Sequence, residues 1–530
     1  MLNRPNARWE SFALALAIAF VAACLLFRLD SYPSWLFCDE SLHTLEANSL
    51  LQTGKDLNNA SWPLFLQAFG AYELGLSVYL QLPFTWLLGP TELSIRLRNI
   101  CLTLVLALFL SLILRQIRGF SAWWLAPLVL FSSSLLFLHA RTGFQAPLAV
   151  LLYGILVCSW LGWRQAEKGR GASLLSIAAI SAVLLLYLYT AARGWVLFTI
   201  LGFAALDRRA LASRLHEARW ATMAAALLFL PFAAFSIRYP DRVFLRASQL
   251  GRGVSSGQMD LVKRTLGNAL IILRPEYWFG HSYQLAFGGA ERHQIAGLAF
   301  MPLLLAPLVL VGLWCVCRRR SFLDLPHLLV IATASLLPAA IIEVNPLRCF
   351  PVWLSYQLLA CIGLSALANA SASWGTAAAI AFRTAAASVL AAIIATQTVW
   401  ATSFAPALVD DWGFWGVQFG AKELGTWLHE HAVKEKKIIF LSLTFNRPEA
   451  TLAPFGPELY RKIVVFVPQV FCSPEAERKA GPLEETLLVS RLTPDKLPSC
   501  GITYSLRATI PSPSPKHSLF IYGLSRPKPM

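Results

Sequence analysis

The chain has 530 residues, 56% of them hydrophobic and only 14% charged, with a mean hydropathy of +0.56. Soluble domains carry about 25% charged residues, so this composition excludes a purely cytosolic enzyme. With 31 Gly, 30 Pro and 10 Cys scattered along a long apolar chain, a collagen-like, disordered or disulfide-scaffold protein is excluded as well.

The 45 Lys and Arg against 29 Asp and Glu leave a net charge of +16, which in a soluble protein would point to nucleic acid. Here the basic residues punctuate apolar stretches of helix length. They read as determinants of membrane orientation and of contact with anionic lipids, and no nucleic-acid partner is expected. The composition is that of an α-helical polytopic membrane protein.

A hydrocarbon core about 30 Å thick needs roughly 20 apolar residues of helix. By that rule about eleven transmembrane helices are expected, at 11–29, 94–114, 122–138, 145–163, 173–190, 194–206, 219–237, 294–316, 325–342, 349–368 and 384–404. The stretch 194–206 is short, and 74–89 reads as an additional shallow helix.

Placing the N-terminus in the cytoplasm puts Arg4 and Arg8 inside, followed by Arg115 and Arg118, then Arg164, Lys168 and Arg170. Arg208, Arg209 and Arg214 and the triplet Arg318 to Arg320 fall on the same side, whereas the short loops opposite hold single arginines: Arg141, Arg193 and Arg348. An odd number of spans leaves residues 405–530 outside. The first apolar stretch lacks a small-x-small cleavage pattern before Asp30 and is long enough to span, so it reads as an uncleaved helix.

The expected organisation is a multi-span membrane domain, 1–404, with long external segments at 30–93 and 238–293, followed by a small extracytoplasmic α/β domain, 405–530. In that last part an amphipathic helix is expected near 417–433, with strands at Ile438–Leu441, Ile463–Val467 and Leu519–Tyr522. Pro511–Pro515 reads as an extended connector, and Leu250-Gly251-Arg252-Gly253 typifies the Arg- and Gly-rich second external segment. The cysteines show no metal-binding spacing. Cys24, Cys101, Cys158, Cys315 and Cys361 read as small apolar residues of the spans, while Cys472 and Cys500 lie where oxidation is permitted and a disulfide is open to them.

The informative charges lie at the external membrane face. None of the expected spans carries an ionisable residue near its middle, which disfavours a coupled transporter. Asp39-Glu40, about ten residues after the first span, opens a helix-like stretch reaching Leu51. Asp39 can serve as the N-cap of that helix. It can also serve as a general base, taking the proton of an attacking hydroxyl in the transition state. Asp39, His43 and Glu46 stand at i, i+4 and i+7 on one face. They could bind a divalent cation, although a solvated polar face opposite Leu42 and Leu45 is the preferred reading and no cofactor is assigned. Arg141, Arg193 and Arg348 can each grip a phosphate bidentately, or snorkel as interfacial anchors.

Asp39-Glu40 after the first span, Leu51-Gln52-Thr53-Gly54-Lys55-Asp56 and Leu88-Gly89-Pro90-Thr91-Glu92-Leu93-Ser94-Ile95-Arg96-Leu97 together resemble the C-type (GT-C) membrane glycosyltransferases. Within these the chain is most similar to the protein O-mannosyltransferase and aminoarabinose transferase group. Arg141-Thr142-Gly143-Phe144, the segment Tyr187 to Arg193, and Asn345-Pro346-Leu347-Arg348 carry the same resemblance, which covers roughly the first 430 residues.

The resemblance implies a GT-C-like fold and transfer of a sugar from a polyprenyl-phosphate donor on the non-cytoplasmic side of the inner (plasma) membrane, usually with inversion. The acceptor would be a lipid, a glycan or a protein. It implies that Asp39 is the base and Glu40 its companion. Arg141, Arg193 and Arg348 would bind the donor phosphate, with His139 and Tyr189 beside them in the substrate-binding set. Several members carry a second acidic residue in the loop after the third span, where this chain has His139-Ala140-Arg141. That departure speaks against a two-carboxylate or metal-assisted mechanism. No Gly-rich phosphate loop calls for a nucleotide sugar. The other readings are a flippase or transporter of lipid-linked glycans, and a sensory protein whose work is done by residues 405–530.

Overall fold

The computed structural model describes residues 7–68, 71–73, 75–167, 169, 171–242, 258–280, 293–336, 344–405, 420–432, 435–441, 447–455, 457–466, 471–473, 482–498, 500–511 and 518–526. The chain divides into two compact units. Met1–Phe27, Trp62–Leu80 and Arg98–Thr398 form the first; Arg28–Ser61, Gln81–Leu97 and Val399–Met530 form the second. Of the segment 30–93, residues 30–61 and 81–93 group with Val399–Met530.

The first unit is helical. Among the described residues, five helices are long and apolar enough to cross a membrane: Arg8–Leu26, Glu92–Gln116, Ala146–Gln165, Phe350–Ala372 and Thr376–Phe404. Two bent pairs, Trp123–Phe131 with Ser134–Ala140 and Leu215–Met223 with Ala225–Arg238, raise the number to seven. Ala172–Leu188, Ala192–Leu206 and Leu303–Cys317 are apolar but shorter. Each of the eleven expected stretches contains a helix, but several of these helices are shorter than a span. The one expected at 294–316 begins only at Leu303, after a turn at Gly297 (φ 81°). The one expected at 325–342 is helical over Leu325–Thr333, and its last part lies outside the described residues, as do Leu250–Gly253.

Helix α1 (Ala7–Leu26) is followed by α2 (Cys38–Thr53), a short hairpin of β1 (Leu66–Ala68) and β2 (Ala71–Glu73), and α3 (Gly75–Leu88). At 14 residues α3 is about 21 Å long, too short for a straight crossing. Next come α4 (Glu92–Gln116), α5 (Ala126–Phe131), α6 (Ser134–Ala140), α7 (Ala146–Gln165), α8 (Ala172–Leu188), α9 (Ala192–Leu206), α10 (Arg208–Ser213) and α11 (Leu215–Arg238).

The span expected at 122–138 is broken by an 83° bend between α5 and α6. Irregular backbone at membrane depth is stable only where protein covers it and supplies partners, and here both conditions hold. Residues 132–141 are buried. The hydroxyls of Ser133 and Ser134 donate to the carbonyls of Phe300 and Ala299 at 2.7 and 2.6 Å, and Gln397 Nε2 donates to the freed carbonyl of Phe131. The run Ser132-Ser133-Ser134 was the sequence signal for the break.

Helices Ala306–Cys317 and Phe350–Ala372 approach backbone to backbone. A Cβ on Gly312 would lie 2.0 Å from the Leu359 carbonyl oxygen, and one on Gly363 would lie 2.0 Å from that of Leu308. Small residues at a membrane helix crossing permit this approach, which side-chain packing alone would forbid.

The second unit contains a five-stranded sheet in the order β4-β3-β5-β7-β6, with β3 (Lys437–Leu441), β4 (Ile463–Phe466), β5 (Thr486–Ser490), β6 (Thr503–Ile510) and β7 (Leu519–Ser525). Strand β3 pairs parallel to β4 and β5, and β7 pairs antiparallel to β5 and β6. The expected amphipathic helix is Ala421–His431, whose Leu424 and Leu428 cover one face of the sheet with Ile438, Phe440 and Ile521. The other face buries Ile439, Leu488 and Tyr522 with Phe471 and Leu497, and Cys472 and Cys500 are disulfide-bonded beside them. Strands β5 and β6 escaped the sequence reading, and residues 512–515 of the expected connector lie outside the described residues.

Candidate active site

In the second unit, α2 presents the acidic pair. Its N-cap is Phe37, in extended conformation, not Asp39. Glu40 does the capping: its Oε2 accepts the Phe37 N–H at 2.8 Å, and the side chain is 1% exposed. A glutamate at the third helical position reaches back in this way to satisfy a backbone donor that the helix leaves open. Asp39 is thereby released from the capping role and stands half-buried in the first turn, where the helix dipole favours negative charge. Cys38 Sγ donates to Asp39 Oδ1 at 3.8 Å. Burial, and then the carboxylates of Asp39 and Glu449, push the Cys38 thiol well above its usual value, against the pull of Arg447. Cys38 is thus a thiol donor and not a thiolate.

The face carrying His43 and Glu46 is buried, not solvated: His43 is 0% and Glu46 1% exposed. Glu46 Oε2 accepts the Leu57 N–H at 2.9 Å, and Oε1 is buried without a hydrogen-bond partner. Burial, with Asp56 adding to it, raises the Glu46 carboxyl to about 7 despite the Leu57 bond. Asp56 itself closes a tight loop, accepting the N–H groups of Asn58 and Ala60 at 2.9 and 2.7 Å. Among the described residues no three His, Cys, Asp or Glu side chains gather as metal ligands.

The substrate-binding set expected around the arginines lies in the first unit, and its members differ in kind. Arg141 is 0% exposed, and its Nη1 donates to the carbonyls of Cys24, Leu25 and Phe27 at 3.2, 2.8 and 2.9 Å. It closes the C-terminal end of α1, whose last carbonyls have no helical partner. Arg193 Nε donates to the Leu186 carbonyl at 3.3 Å, and its guanidinium lies 5.6 and 5.5 Å from the rings of Phe65 and Phe232, within cation–π range. Arg348 is half-buried, with Nη1 lacking a hydrogen-bond partner. Its carbonyl accepts Trp195 Nε1 at 3.2 Å, and Trp195 packs on Tyr189 with ring centroids 5.5 Å apart.

Tyr189, Trp195 and Arg348 are therefore brought together from α8, α9 and the loop before Phe350–Ala372. His139 joins this loop from the other side. Its ring lies 5.1 Å from that of His293, whose Nε2 is 3.0 Å from Asn345 Nδ2. Asn345 Oδ1 accepts the Leu347 N–H at 2.9 Å and so shapes the turn that presents Arg348. His139 is 1% exposed with both ring nitrogens unpartnered. His293 and Asn345 were not singled out as partners from sequence, because their pairing spans 52 residues and an irregular segment. Tyr187 repairs α11 where Pro231 interrupts its ladder: the hydroxyl accepts the Phe232 N–H at 2.9 Å and donates to the Leu228 carbonyl at 2.7 Å.

The loops expected on the cytoplasmic side also meet one another. Arg164 Nε pairs with Asp207 Oδ1 at 2.8 Å and its Nη2 with Asp324 Oδ2 at 3.1 Å; His327 lies between both carboxylates, and Trp160 Nε1 donates to Asp207 Oδ2. Burial alone would raise the Asp207 carboxyl, but His327, Trp160 and Arg164 outweigh it and hold it below its usual range.

No protein family model and no curated protein sequence matches the chain. Solved structures do match. ArnT, the aminoarabinose transferase of Cupriavidus metallidurans, bound to undecaprenyl phosphate, aligns at a TM-score of 0.56 with 12% identity, over 97% of this chain and 98% of that one. The archaeal oligosaccharyltransferase AglB of Archaeoglobus fulgidus, in complex with an inhibitory peptide and a dolichol-phosphate, aligns at 0.56 with 15% identity, over 91% of this chain and 69% of that one. Both are GT-C glycosyltransferases. This chain has the GT-C fold, a membrane-helix bundle followed by a small C-terminal α/β domain.

Proposed function

We propose that the protein is an inner-membrane glycosyltransferase that moves a sugar from a polyprenyl-phosphate donor to an acceptor hydroxyl on the periplasmic or external face. The observation that carries this reading is the division of labour in the acidic pair. Glu40 is buried as the helix cap, whereas Asp39 beside it is half-exposed in the first turn of α2. Asp39 takes the proton of the acceptor hydroxyl as its oxygen bonds to the anomeric carbon. The bond from that carbon to the phosphate oxygen breaks, and the polyprenyl phosphate departs with the electron pair. Arg348, and secondarily Arg193, bind the phosphate as charge builds on it. Support comes from the fold, shared with a protein solved with undecaprenyl phosphate and another solved with dolichol-phosphate.

The test is transfer in vesicles loaded with a panel of undecaprenyl-phosphate-linked pentoses and hexoses, read by mass spectrometry of the lipids and glycans formed. The wild-type chain should consume one donor. Asp39→Asn should lower the rate by about 10²–10⁴-fold, since an amide cannot take the proton, while Glu40→Gln keeps an acceptor oxygen and should be milder. Normal turnover by folded Asp39→Asn would remove the base and with it the mechanism.

A further inference from the structure

Trp35 lies four residues before Asp39, outside the expected span, yet it is 7% exposed. Its Nε1 donates to the Thr451 carbonyl at 2.9 Å, and its ring stacks on Phe455 with centroids 4.6 Å apart and planes 26° from parallel. Trp35 and Leu36 belong to the same core as Leu424, Ile438, Phe440 and Ile521, the face of the sheet under Ala421–His431. The loop between the first span and α2 thus supplies part of the interior of the C-terminal domain. Helix α2 itself packs against the segment Pro448–Phe455, and the charges of Arg447 and Glu449 reach Cys38, the residue next to Asp39.

The same loop is pinned on its other side. Arg96, 0% exposed, donates to the carbonyls of Leu29 and Pro33 at 2.5 and 2.8 Å and pairs with Glu92. With Glu40 holding the Phe37 N–H, residues 29, 33, 35 and 37 are each tied. Little slack remains before the carboxylate. A stem held at this density suits a group whose reach must be fixed to a fraction of an ångström.

We propose that the C-terminal α/β domain holds the Asp39 loop in its working geometry, with Trp35 as the positioning residue that couples them. The proposal rests on the reading of Asp39 as the base. It assigns residues 447–455 a part in the reaction without contact to the substrate.

The experiment uses the full chain with Trp35→Phe, which keeps a ring against Phe455 and loses the donor to Thr451, and Phe455→Leu, which keeps apolar bulk and loses the stack. Amide hydrogen exchange of the peptide covering 38–53 should rise about tenfold in either variant, with exchange in Ala146–Gln165 unchanged. With the donor that the vesicle panel selects, kcat should fall about 10–100-fold at an unchanged donor KM. The acidic limb of the pH–rate profile should persist, because the carboxylate is still present, whereas Asp39→Asn should abolish it. Unchanged exchange or unchanged kcat in both variants would overturn the proposal even with Asp39→Asn inactive. If Asp39→Asn turns over normally, the base assignment fails instead, and a rise in exchange would still record the coupling.

Discussion

The guanidinium of Arg141 closes the end of the first span by donating to the carbonyl oxygen of Leu25 at 2.8 Å. The adjoining bonds to Cys24 and Phe27 make this arginine a helix cap delivered from a distant loop. Arg141→Ala should cost about 1.5–3 kcal/mol or more, because it bares carbonyls in an apolar interior. The expected result is a lower yield of folded protein and a lower Tm, with undecaprenyl phosphate binding per folded molecule unchanged. A variant of normal Tm that has lost lipid-phosphate binding would return Arg141 to the phosphate site.

Arg348 should behave in the opposite manner. Its unpartnered Nη1 has no structural carbonyl to lose, so Arg348→Ala should leave Tm within a degree or two. Undecaprenyl phosphate affinity should fall by about tenfold or more, the size of one lost charge-assisted contact. Lys should recover part of it, since a point charge lacks the planar fork. Arg193→Ala should show both effects, because its guanidinium lies against the rings of Phe65 and Phe232. Isothermal titration beside thermal unfolding separates the two quantities.

Glu46 predicts a pH dependence of stability. Its carboxyl is raised from 4.5 to about 7 in the folded chain, so the native state holds a proton that the unfolded state releases between those values. The contribution is full below about pH 4.5 and is lost as pH rises through 7. A shift of this size corresponds to about 3 kcal/mol. Glu46→Gln keeps an acceptor for the Leu57 N–H without ionising. Its Tm should exceed that of the wild type at pH 8, and the difference should shrink towards pH 5. A constant difference across that range would show that Glu46 does not titrate there.

The meeting of Arg164, Asp207, Asp324 and His327 places three loops on one side of the bundle. All three fall in the set that the arginine asymmetry assigns to the cytoplasm. Reporter fusions after Arg320 should therefore show cytoplasmic activity, and fusions after Pro406 external activity. A cytoplasmic signal after Pro406 would require one span more or fewer than the sequence suggests.

Hydropathy disclosed most of the helices, because about twenty apolar residues in a row have few other stable uses. It could not disclose the break at Ser133, where hydroxyl partners 165 to 167 residues away make irregular backbone tolerable. Asp39 was legible as a polar residue placed where chemistry is plausible. Its neighbour's role was not, since the capping glutamate follows a phenylalanine and lacks the usual Ser or Thr at the cap. Trp35 was invisible for a different reason: its partner Thr451 lies 416 residues away, and one tryptophan beside a span reads as an interfacial anchor. Arginines at the external face could be counted from sequence, but only their partners separate the helix cap at 141 from the unpartnered donor at 348.

The opposed glycines at 312 and 363 carry a consequence for how this chain can change over time. Each faces main-chain atoms of the other helix, and main chain cannot shrink to make room. A methyl group gained at either position therefore has no compensating mutation on the partner, only a shift of the whole helix. Because the turn bearing Arg348 leads directly into Phe350–Ala372, such a shift would carry that turn with it, and drift at these two sites is closed to small steps.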